Sequence, residues 1–335
     1  MGKYNVAVVG IGAVGQMLLD VMEERNFPVN ELKVLATERS AGRRVGFKGS
    51  EFTVEETTPE SFKNIDIALF AGGGASKLFA KEAVSRGAVV IDNSSTFRLD
   101  PDVPLVVPEV NSGDVETHKG IIANPNCSTI QMVVALNPIH RAAKIKRVVV
   151  STYQAVSGAG SDAIDELTEQ TGAVLAGRSL KNNVFPHQIA FNAIPHIDIF
   201  MDNFSTKEEM KMVNETKKIL GDDSIKITAT AVRIPVYTGH AESINIQTEK
   251  EITAEEARKI LSEAPGVIVR DDVTQNIYPL PSECVGRDEV FVGRIRADET
   301  VEYGLNIWVV ADNLRKGAAT NAVQIAEVVL EKGII

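Results

Sequence analysis

The first hundred residues alternate short apolar runs with glycine-rich turns and helical stretches. The apolar runs are continuous, which is typical of strands that are buried on both faces of a parallel sheet. Each ends in a turn rich in Gly, Asn or Ser, and helical stretches such as 76–86 lie between them. This repetition predicts a doubly wound α/β domain of the Rossmann type. The predicted strands are 5–9, 32–36, 65–70 and 88–92.

Beyond residue 127 the apolar runs become longer and partly alternate with polar residues, and few helices separate the last of them. This pattern favours a second domain of α+β type with a mixed sheet. Apolar residues at helical spacing over 317–331 predict a last helix that returns to pack on the first domain. We expect the domains to be 1–126 with 315–335, and 127–314. The predicted strands of the second domain are 148–153, 225–232, 241–248, 291–297 and 303–310.

Composition narrows the class of protein. The 335 residues are 44% hydrophobic and 24% charged, as in ordinary globular proteins. A net charge of -10 argues against a nucleic-acid or anionic-membrane partner. Two cysteines are too few for a disulfide scaffold, and we find neither a membrane-spanning run nor a signal-peptide pattern. A cytoplasmic enzyme is the simplest class that fits.

The first strand ends in a G-x-G-x-x-G sequence that opens a helix. In this context the motif predicts a dinucleotide site, because glycines let backbone N–H groups and the helix N-terminus approach a pyrophosphate. A merely tight strand-to-helix turn is the alternative. The candidate cofactor-binding residues here are Gly10, Ile11, Gly12, Ala13, Val14 and Gly15.

The end of the second strand discriminates between NAD and NADP. An Asp or Glu there would bond the ribose 2′-hydroxyl of NAD. Here Thr37, Arg39 and Ser40 offer a cation and two hydroxyls, which suit a 2′-phosphate. We expect Glu38 to face solvent and the cofactor to be NADP. The competing interpretation of Arg39 is an ordinary solvated arginine.

Cys127 lies in the sequence Asn-Pro-Asn-Cys-Ser-Thr over 124–129, just before a long apolar helix. A thiol at a helix N-terminus feels the positive end of the macrodipole, which lowers its pKa and favours the thiolate. A small buried hydrophobe is the commonest fate of a free cysteine. The turn formed by Asn124, Pro125 and Asn126 before the helix favours a nucleophilic role for Cys127.

Three other segments carry weaker signals. Gln154 lies in a loop of small residues that lets backbone approach a ligand, although loop glutamines are usually just solvated. Arg98 follows the fourth strand, where α/β sheets bind ligands, but a surface arginine is equally plausible. Thr206 and Glu209 predict a helical capping box, and Glu208 with Lys211 by itself predicts an exposed ion pair.

Arg233 and His240 frame the segment most suited to carry a base. Histidine titrates near neutrality, and arginine holds carboxylates bidentately. Positions seven apart fall on opposite faces of a regular strand, so both reach one pocket only if the chain breaks, at Pro235 and Gly239. The remaining histidines and Cys284 show no zinc-ligand spacing, so we assign no metal.

Together these segments resemble aspartate-semialdehyde dehydrogenase over essentially the whole chain. The motifs that carry the resemblance follow family order, and chance similarity of so many is implausible. The resemblance implies NADP-dependent reductive dephosphorylation of L-aspartyl-4-phosphate to L-aspartate 4-semialdehyde, which feeds lysine, methionine, threonine and diaminopimelate synthesis. It also implies a homodimer or larger assembly. The carrying segments are 36–42, 92–95 with Arg98, 124–129, 154–160, Glu208 with Lys211, 233–240 and 311–317.

The resemblance also assigns roles. Cys127 would attack the acyl phosphate and carry a thioacyl group, His240 would be the acid/base, and Gln154 would orient the reacting carbonyl. The second domain would therefore be catalytic and would mediate dimerisation. Substrate contacts would come from Arg233 to the carboxylate, Glu208 to the ammonium group, Arg98 and Lys211 to the phosphate, and Asn126 beside it; Ser157, Gly158 and Asn313 would face NADP.

One departure concerns the glycine loop, which is one residue shorter than the usual family pattern and lacks its threonine. This bears on which atoms touch the pyrophosphate, and not on the chemistry at Cys127. Two rival functions remain: an acyl-phosphate reductase such as N-acetylglutamyl-phosphate reductase, and a non-catalytic NADP-binding paralogue. The segments around Cys127 and His240 favour the aspartyl enzyme.

Overall fold

The computed structural model describes residues 3–335, which form two compact units. Unit 1 consists of the described residues up to Asn126 together with Ala318–Ile335, and unit 2 is Cys127–Gly317. Within residues 3–335, no helix is both long enough and apolar enough to cross a bilayer.

The described residues of unit 1 form a parallel six-stranded sheet in the order β5-β2-β1-β6-β7-β8. Helices flank it, which confirms the Rossmann-type prediction. The strands are β1 (Tyr4–Val9), β2 (Val29–Ala36), β5 (Glu55–Glu56), β6 (Ile67–Phe70), β7 (Val89–Asp92) and β8 (Ile121–Ala123). A separate antiparallel hairpin is formed by β3 (Arg44–Phe47) and β4 (Ser50–Thr53). The helices are α1 (Ala13–Glu24), α2 (Gly73–Ser85), α3 (Pro108–Asn111) and α9 (Thr320–Glu331), with 3-10 turns at Glu38–Ser40, Pro59–Phe62 and Ser112–Thr117.

Burial on both faces of the sheet explains the continuous apolar runs. Val6–Val9 are completely buried, as are the inward-facing residues Leu18 and Met22 of α1. The last helix, α9, joins the same core through residues such as Val323 and Ile325, as predicted. It begins later than expected, because Arg315–Ala319 form a π-helical turn in which the Gly317 N–H donates to the Asp312 carbonyl at 3.0 Å.

The described part of unit 2 contains a mixed six-stranded sheet in the order β10-β9-β11-β14-β13-β12. Pairs β10–β9 and β12–β13 are parallel and the others are antiparallel, which confirms the predicted mixed α+β domain. The strands are β9 (Ile145–Gln154), β10 (Lys226–Arg233), β11 (His240–Thr248), β12 (Val267–Val269), β13 (Val290–Asp298) and β14 (Gly304–Ala311). The helices are α4 (Cys127–Ala143), α5 (Ser161–Leu175), α6 (Lys207–Leu220), α7 (Ala254–Ser262) and α8 (Pro281–Cys284), with 3-10 turns at Val156–Ala159 and Val273–Gln275.

Strand ends place the polar residues of unit 2 together. Gln154 and Arg233 are opposite each other in the parallel pair β9–β10, at the final residue of each strand. His240 is the first residue of β11, the other neighbour of β9. The expected break between Arg233 and His240 is confirmed, because 234–239 belong to no strand and Gly239 has a φ of +95°. One end of the sheet therefore presents a glutamine, an arginine and a histidine.

Candidate active site

The glycine loop of unit 1 is built for close backbone approach. A Cβ added to Gly15 would lie 1.8 Å from the Gly10 carbonyl oxygen, so only glycine allows this crossing of strand and helix. Gly10 itself has a φ of +98°. Gly12 is the N-cap of α1, whose first turn has no acidic residue. The free N–H groups of that turn can therefore donate hydrogen bonds to an anion.

The segment 37–40 follows β2 and is mostly exposed to solvent. Thr37, Glu38 and Arg39 are exposed and Ser40 is half-buried, with 38–40 forming a 3-10 turn. Glu38 therefore faces solvent, as expected. An exposed arginine directly beyond a central strand is free to reach a phosphate group on a nucleotide ribose.

Arg98 and Asn126 belong to unit 1 and are both buried. The Arg98 guanidinium donates to the carbonyls of Asn93 at 2.8 Å and Asn124 at 2.9 Å, which follow β7 and β8. Arg98 thus joins the carboxyl ends of two neighbouring strands. The alternative interpretation of Arg98 as an exposed surface arginine is therefore wrong.

Cys127 is the first residue of α4, in line with the prediction of a helix N-terminus. Its side chain is partly exposed, whereas the apolar run that follows is buried. A Cβ on Gly317 would lie 2.9 Å from the Cys127 Cβ, so a glycine is required beside the thiol. The second cysteine differs, since burial raises the pKa of Cys284 to about 12 and leaves it inert as a nucleophile.

His240 is completely buried, and one backbone hydrogen bond orients its ring. The backbone N–H of Ala155 donates to Nδ1 at 3.0 Å, and the Gln154 amide nitrogen lies 3.4 Å from Nε2. Burial, reinforced by the positive charge of Arg233, lowers the pKa of His240 well below its usual range. The ring is therefore neutral near pH 7, with its proton on Nε2.

Gln154 is the last residue of β9, so the prediction of a loop at this position is wrong. It is buried, so the alternative of a merely solvated glutamine does not hold either. The amide group donates to the Glu208 carboxylate at 3.2 Å. Glu208 and Lys211 form the expected pair at 3.0 Å, but Glu208 is only 4% exposed, which overturns the interpretation of this pair as a surface contact. The predicted capping box is present: Thr206 accepts from the Glu209 N–H at 3.3 Å.

Charge is concentrated around the Glu208 carboxylate. Burial opposes the charge of Lys211, but Glu208 and Asp198 outweigh it and raise the pKa of the lysine. Arg233 is 5% exposed and donates to the Ala155 carbonyl at 2.5 Å. Burial lowers the pKa of Arg233, while Glu208 and Cys127 favour its charged form. The arginine, the carboxylate and the thiol therefore share one electrostatic environment.

The turn after β9 supplies the small residues between these side chains. A Cβ on Gly158 would lie 3.0 Å from the Arg233 guanidinium and 3.3 Å from His240 Nε2. The neighbouring Ser157 is tied to Asn313, whose amide donates to the serine hydroxyl at 2.9 Å. Asn313 also accepts from the Gly239 N–H at 2.8 Å, which fixes the turn that leads into His240.

Sequence reasoning missed a buried acid behind the histidine. Glu242 is completely buried, burial raises its pKa well above the usual range, and neither of its carboxyl oxygens has a hydrogen-bond partner among the described residues. Gln131 donates to the His240 carbonyl at 3.4 Å. Glu242 follows His240 by two positions, so strand alternation would have placed both on one face. The alternating pattern was the available signal.

The predicted residues thus fall into two sets. Unit 2 collects Cys127, Gln154, Arg233, His240 and Glu208 with Lys211, Gly158, Ser157 and Asn313, whereas the glycine loop, Thr37, Arg39, Ser40, Arg98 and Asn126 belong to unit 1. Across residues 3–335 the structure contains no group of three or more His, Cys, Asp or Glu side chains placed to hold a metal ion.

Unit 1 is of the Rossmann type and carries an exposed arginine suited to a phosphate. Unit 2 has a mixed sheet, a partly exposed cysteine at a helix N-terminus and a buried, neutral histidine. Together these features are typical of a nucleotide-dependent dehydrogenase. Family models agree with this class. Residues 5–118 match the semialdehyde dehydrogenase NAD binding domain, and residues 136–316 match the semialdehyde dehydrogenase dimerisation domain. The chain belongs to the aspartate-semialdehyde dehydrogenase family.

Individual relatives cover the whole length. The chain is 62% identical to the aspartate-semialdehyde dehydrogenase of Aquifex aeolicus, with 99% of each chain covered. It is 49% identical to a crystal structure of aspartate semialdehyde dehydrogenase II complexed with ASA from Vibrio cholerae, with a TM-score of 0.96 over 99% of each chain. The enzyme from Candida albicans with NADP is 25% identical, with a TM-score of 0.78 and coverage of 99% and 100%. The family resemblance of the sequence is confirmed.

Proposed function

We propose that this chain catalyses the reversible, NADP-dependent reductive dephosphorylation of L-aspartyl-4-phosphate to L-aspartate 4-semialdehyde. The observation that carries this proposal is the convergence of Cys127, His240, Gln154, Arg233 and Glu208 in one unit of a chain with full-length family similarity. The reaction supplies the semialdehyde for lysine, methionine, threonine and diaminopimelate biosynthesis. The structure with ASA from Vibrio cholerae, 49% identical, supports aspartate semialdehyde as the substrate.

Unit 1 fits NADP. The glycine crossing at Gly10 and Gly15 leaves room for a pyrophosphate at the first turn of α1, and Arg39 with Thr37 and Ser40 would bond the 2′-phosphate. From unit 2, we assign Ser157, Gly158 and Asn313 to the cofactor. When bound, the reduced nicotinamide supplies the hydride for this reaction. The remaining loop residues Ile11, Gly12, Ala13 and Val14 complete the cofactor set.

Cys127 is the proposed nucleophile. Its thiolate attacks the acyl carbon of the substrate, a sulfur–carbon bond forms, the carbon–oxygen bond to phosphate breaks, and inorganic phosphate leaves. The N-terminus of α4 and the nearby Arg233 both favour the thiolate. The product of this half-reaction is a thioacyl enzyme, and its reduction gives a hemithioacetal that collapses to the aldehyde.

His240 is the proposed acid/base. Because Ala155 occupies Nδ1, Nε2 is the ring nitrogen that remains for the reactants. The Nε2 proton can hydrogen-bond the carbonyl oxygen as negative charge develops there, which is where electrostatic stabilisation is most effective. Gln154, 3.4 Å from Nε2, orients the same carbonyl.

The substrate's own charges select the remaining contacts. Arg233, which is buried and planar, would clamp the α-carboxylate, and Glu208 would bond the ammonium group. We assign Arg98 and Lys211 to the phosphate group, and Asn126, which directly precedes the nucleophile in the chain, to the same subsite. Each charged group of an aspartyl phosphate then has a partner of opposite charge.

The deciding experiment compares two aldehydes with the purified protein, inorganic phosphate and NADP. Turnover of L-aspartate 4-semialdehyde at a kcat/KM at least about a hundredfold above that of N-acetylglutamate semialdehyde supports the proposal, a ratio worth about 2.8 kcal/mol. Turnover of the N-acetylated aldehyde alone would reassign the substrate. Absence of turnover with both, together with retained NADP binding, would support the non-catalytic alternative.

Assembly and context complete the proposal. The family model for 136–316 describes a dimerisation domain, so the chain belongs to a self-associating family; we assign a homodimer or homotetramer. We place the domain boundaries at 1–126 with 315–335 and at 127–314, of which residues 1 and 2 lie outside the described part. We assign the enzyme to the cytoplasm, with small-molecule partners and neither nucleic acid nor membrane.

A further inference from the structure

Helix α5 carries a buried carboxylate that the proposed mechanism does not use. Glu166 is 4% exposed and accepts hydrogen bonds from three consecutive backbone N–H groups: Asn183 at 2.7 Å, Val184 at 2.6 Å and Phe185 at 3.3 Å. Charged acceptors make the stronger hydrogen bonds, and a buried one is costly to leave unpaired. Glu166 therefore fixes the start of the segment 181–194, which we call the strap.

A second side chain of α5 holds the middle of the strap. Gln170, one helical turn beyond Glu166, accepts from the N–H groups of Ile189 at 2.9 Å and Ala190 at 3.2 Å. Its amide nitrogen donates to the Lys181 carbonyl at 2.9 Å and to Glu166 at 3.2 Å. The strap has no regular secondary structure of its own, so these side chains replace a backbone ladder.

The strap contacts Arg233 at two points. Ile194 forms a β-bridge with Arg233, with N–H donation in both directions at 2.9 and 2.8 Å. The Phe185 ring lies with its centroid 6.0 Å from the Arg233 guanidinium carbon. Phe185 is itself 9% exposed and packs in a small core with Val156 and Leu167. The Phe185 ring and the Ala155 carbonyl thus both restrict the orientation of the Arg233 guanidinium.

We propose that Glu166 is a positioning residue for the substrate carboxylate: through Phe185 it holds the Arg233 guanidinium in the orientation that receives that group. The proposal rests on the carboxylate-binding role of Arg233 given under the proposed function. Glu166 lies one step removed from the reactants, since its hydrogen bonds go to the strap and to Gln170. Its effect is therefore expected in substrate affinity and not in the chemical step.

The first test is steady-state kinetics of Glu166→Gln. Glutamine keeps the size of the side chain but replaces one acceptor oxygen by a donor, so the strap N–H groups lose a partner. We expect the KM for aspartate semialdehyde to rise about tenfold while kcat changes by less than about twofold, the split that lost uniform binding produces. Glu169→Gln, exposed on the same helix, is the matched control and should match wild type.

The second test does not depend on the identity of the substrate. Iodoacetate and iodoacetamide alkylate the Cys127 thiolate with loss of iodide, but only iodoacetate carries a carboxylate for Arg233. The rate of alkylation by iodoacetate divided by the rate with iodoacetamide should fall about fivefold or more in Glu166→Gln and in Phe185→Leu. In these variants the displaced Arg233 guanidinium no longer attracts the iodoacetate anion to the thiolate. Arg233→Leu, which lacks the guanidinium, should give the lowest ratio, and Glu169→Gln should keep the wild-type ratio.

The outcomes separate the two proposals. Equal ratios in wild type and Arg233→Leu would contradict the role of Arg233 itself, and with it the proposed substrate contact. A low ratio in Arg233→Leu with a wild-type ratio and KM in Glu166→Gln and Phe185→Leu would overturn the strap proposal alone. If Glu166→Gln does not fold, Phe185→Leu decides the matter by the same two measurements.

Discussion

The backbone N–H of Ala155 donates to Nδ1 of His240 at 3.0 Å, which ties the end of β9 to the start of β11. This one contact sets the tautomer of a completely buried ring. With Nδ1 occupied as an acceptor, the neutral imidazole carries its proton on Nε2, next to Gln154. The orientation and the protonation state of the proposed acid/base thus have the same structural origin.

His240 is expected to stay neutral where free histidine would gain a proton. Burial and then the charge of Arg233 lower the pKa well below 6.5, so the ring remains uncharged as the pH falls through that value. Histidine-ring NMR should show no titration near pH 6.5 for the resonance that disappears in His240→Gln. A midpoint at 6.5 or above would contradict the assigned environment. The same variant should lower kcat about 10²-fold to 10³-fold, the usual loss when a hydrogen-bond donor to a developing oxyanion is removed.

Replacing the nucleophile should separate binding from chemistry. We expect Cys127→Ala to lower kcat by at least about 10³-fold, because the covalent route is lost, while NADP binding is largely retained. Activity assays and NADP titration by fluorescence measure the two effects. Mass spectrometry of wild type with substrate should place the acyl adduct on the peptide that contains Cys127. Cys284→Ala is the control, since that thiol is buried with its pKa raised to about 12.

Arg39 should discriminate between the two nicotinamide cofactors. Arg39→Ala removes a cation that would pair with the 2′-phosphate of NADP, so the KM for NADP should rise about tenfold or more, as expected for a lost charged hydrogen bond of about 1.5 kcal/mol. The KM for NAD, which lacks that phosphate, should change little. Equal losses for the two cofactors would show that Arg39 does not bind the 2′-phosphate.

Glu242 should make the stability of the protein depend on pH. Its pKa is raised by burial, so the folded state keeps a proton that the unfolded chain releases above pH 4.5, and folding stability falls as the pH rises from there. Glu242→Gln removes this cost without changing the size of the side chain. At pH 7 this substitution should raise the free energy of unfolding above that of wild type.

Thermal unfolding at several pH values measures this effect. The Tm difference between Glu242→Gln and wild type should grow from pH 4.5 to 7, whereas Glu251→Gln, an exposed control, should show no such trend. A constant difference across that range would mean that Glu242 is ionised in the folded protein.

Local patterns predicted most of the elements. The strands of unit 1 are recognisable because a parallel sheet covered on both faces requires continuous apolar runs, as at Val6–Val9. The strands β5 and β8 were not predicted because they have only two and three residues, and the hairpin β3–β4 was not predicted because its strands are mostly exposed and lack a continuous apolar run. The capping box at Thr206 and Glu209 was predictable, because its chemistry lies within one helical turn.

Burial of polar groups was the part that local patterns missed. Glu208 and Lys211 by spacing alone predict a solvated pair, yet Glu208 is buried because Gln154 from β9 and Lys211 enclose it. Gln154 was assigned to a loop because its neighbours are small, whereas it completes a strand. Contacts between segments far apart in the chain determine both outcomes, and no local signal reports them.

The sequence by itself determined the two classes of domain, the glycine turn and the placement of Cys127 at the start of a helix, because each depends on the order of neighbouring residues. Only the tertiary structure decided that the Arg233 and His240 side chains both approach Gly158 and that Glu242 is completely buried. Strand pairing and burial arise only when distant segments come together on folding. They determine the tautomer of His240 and the protonation states of His240 and Glu242, so local sequence does not report these properties.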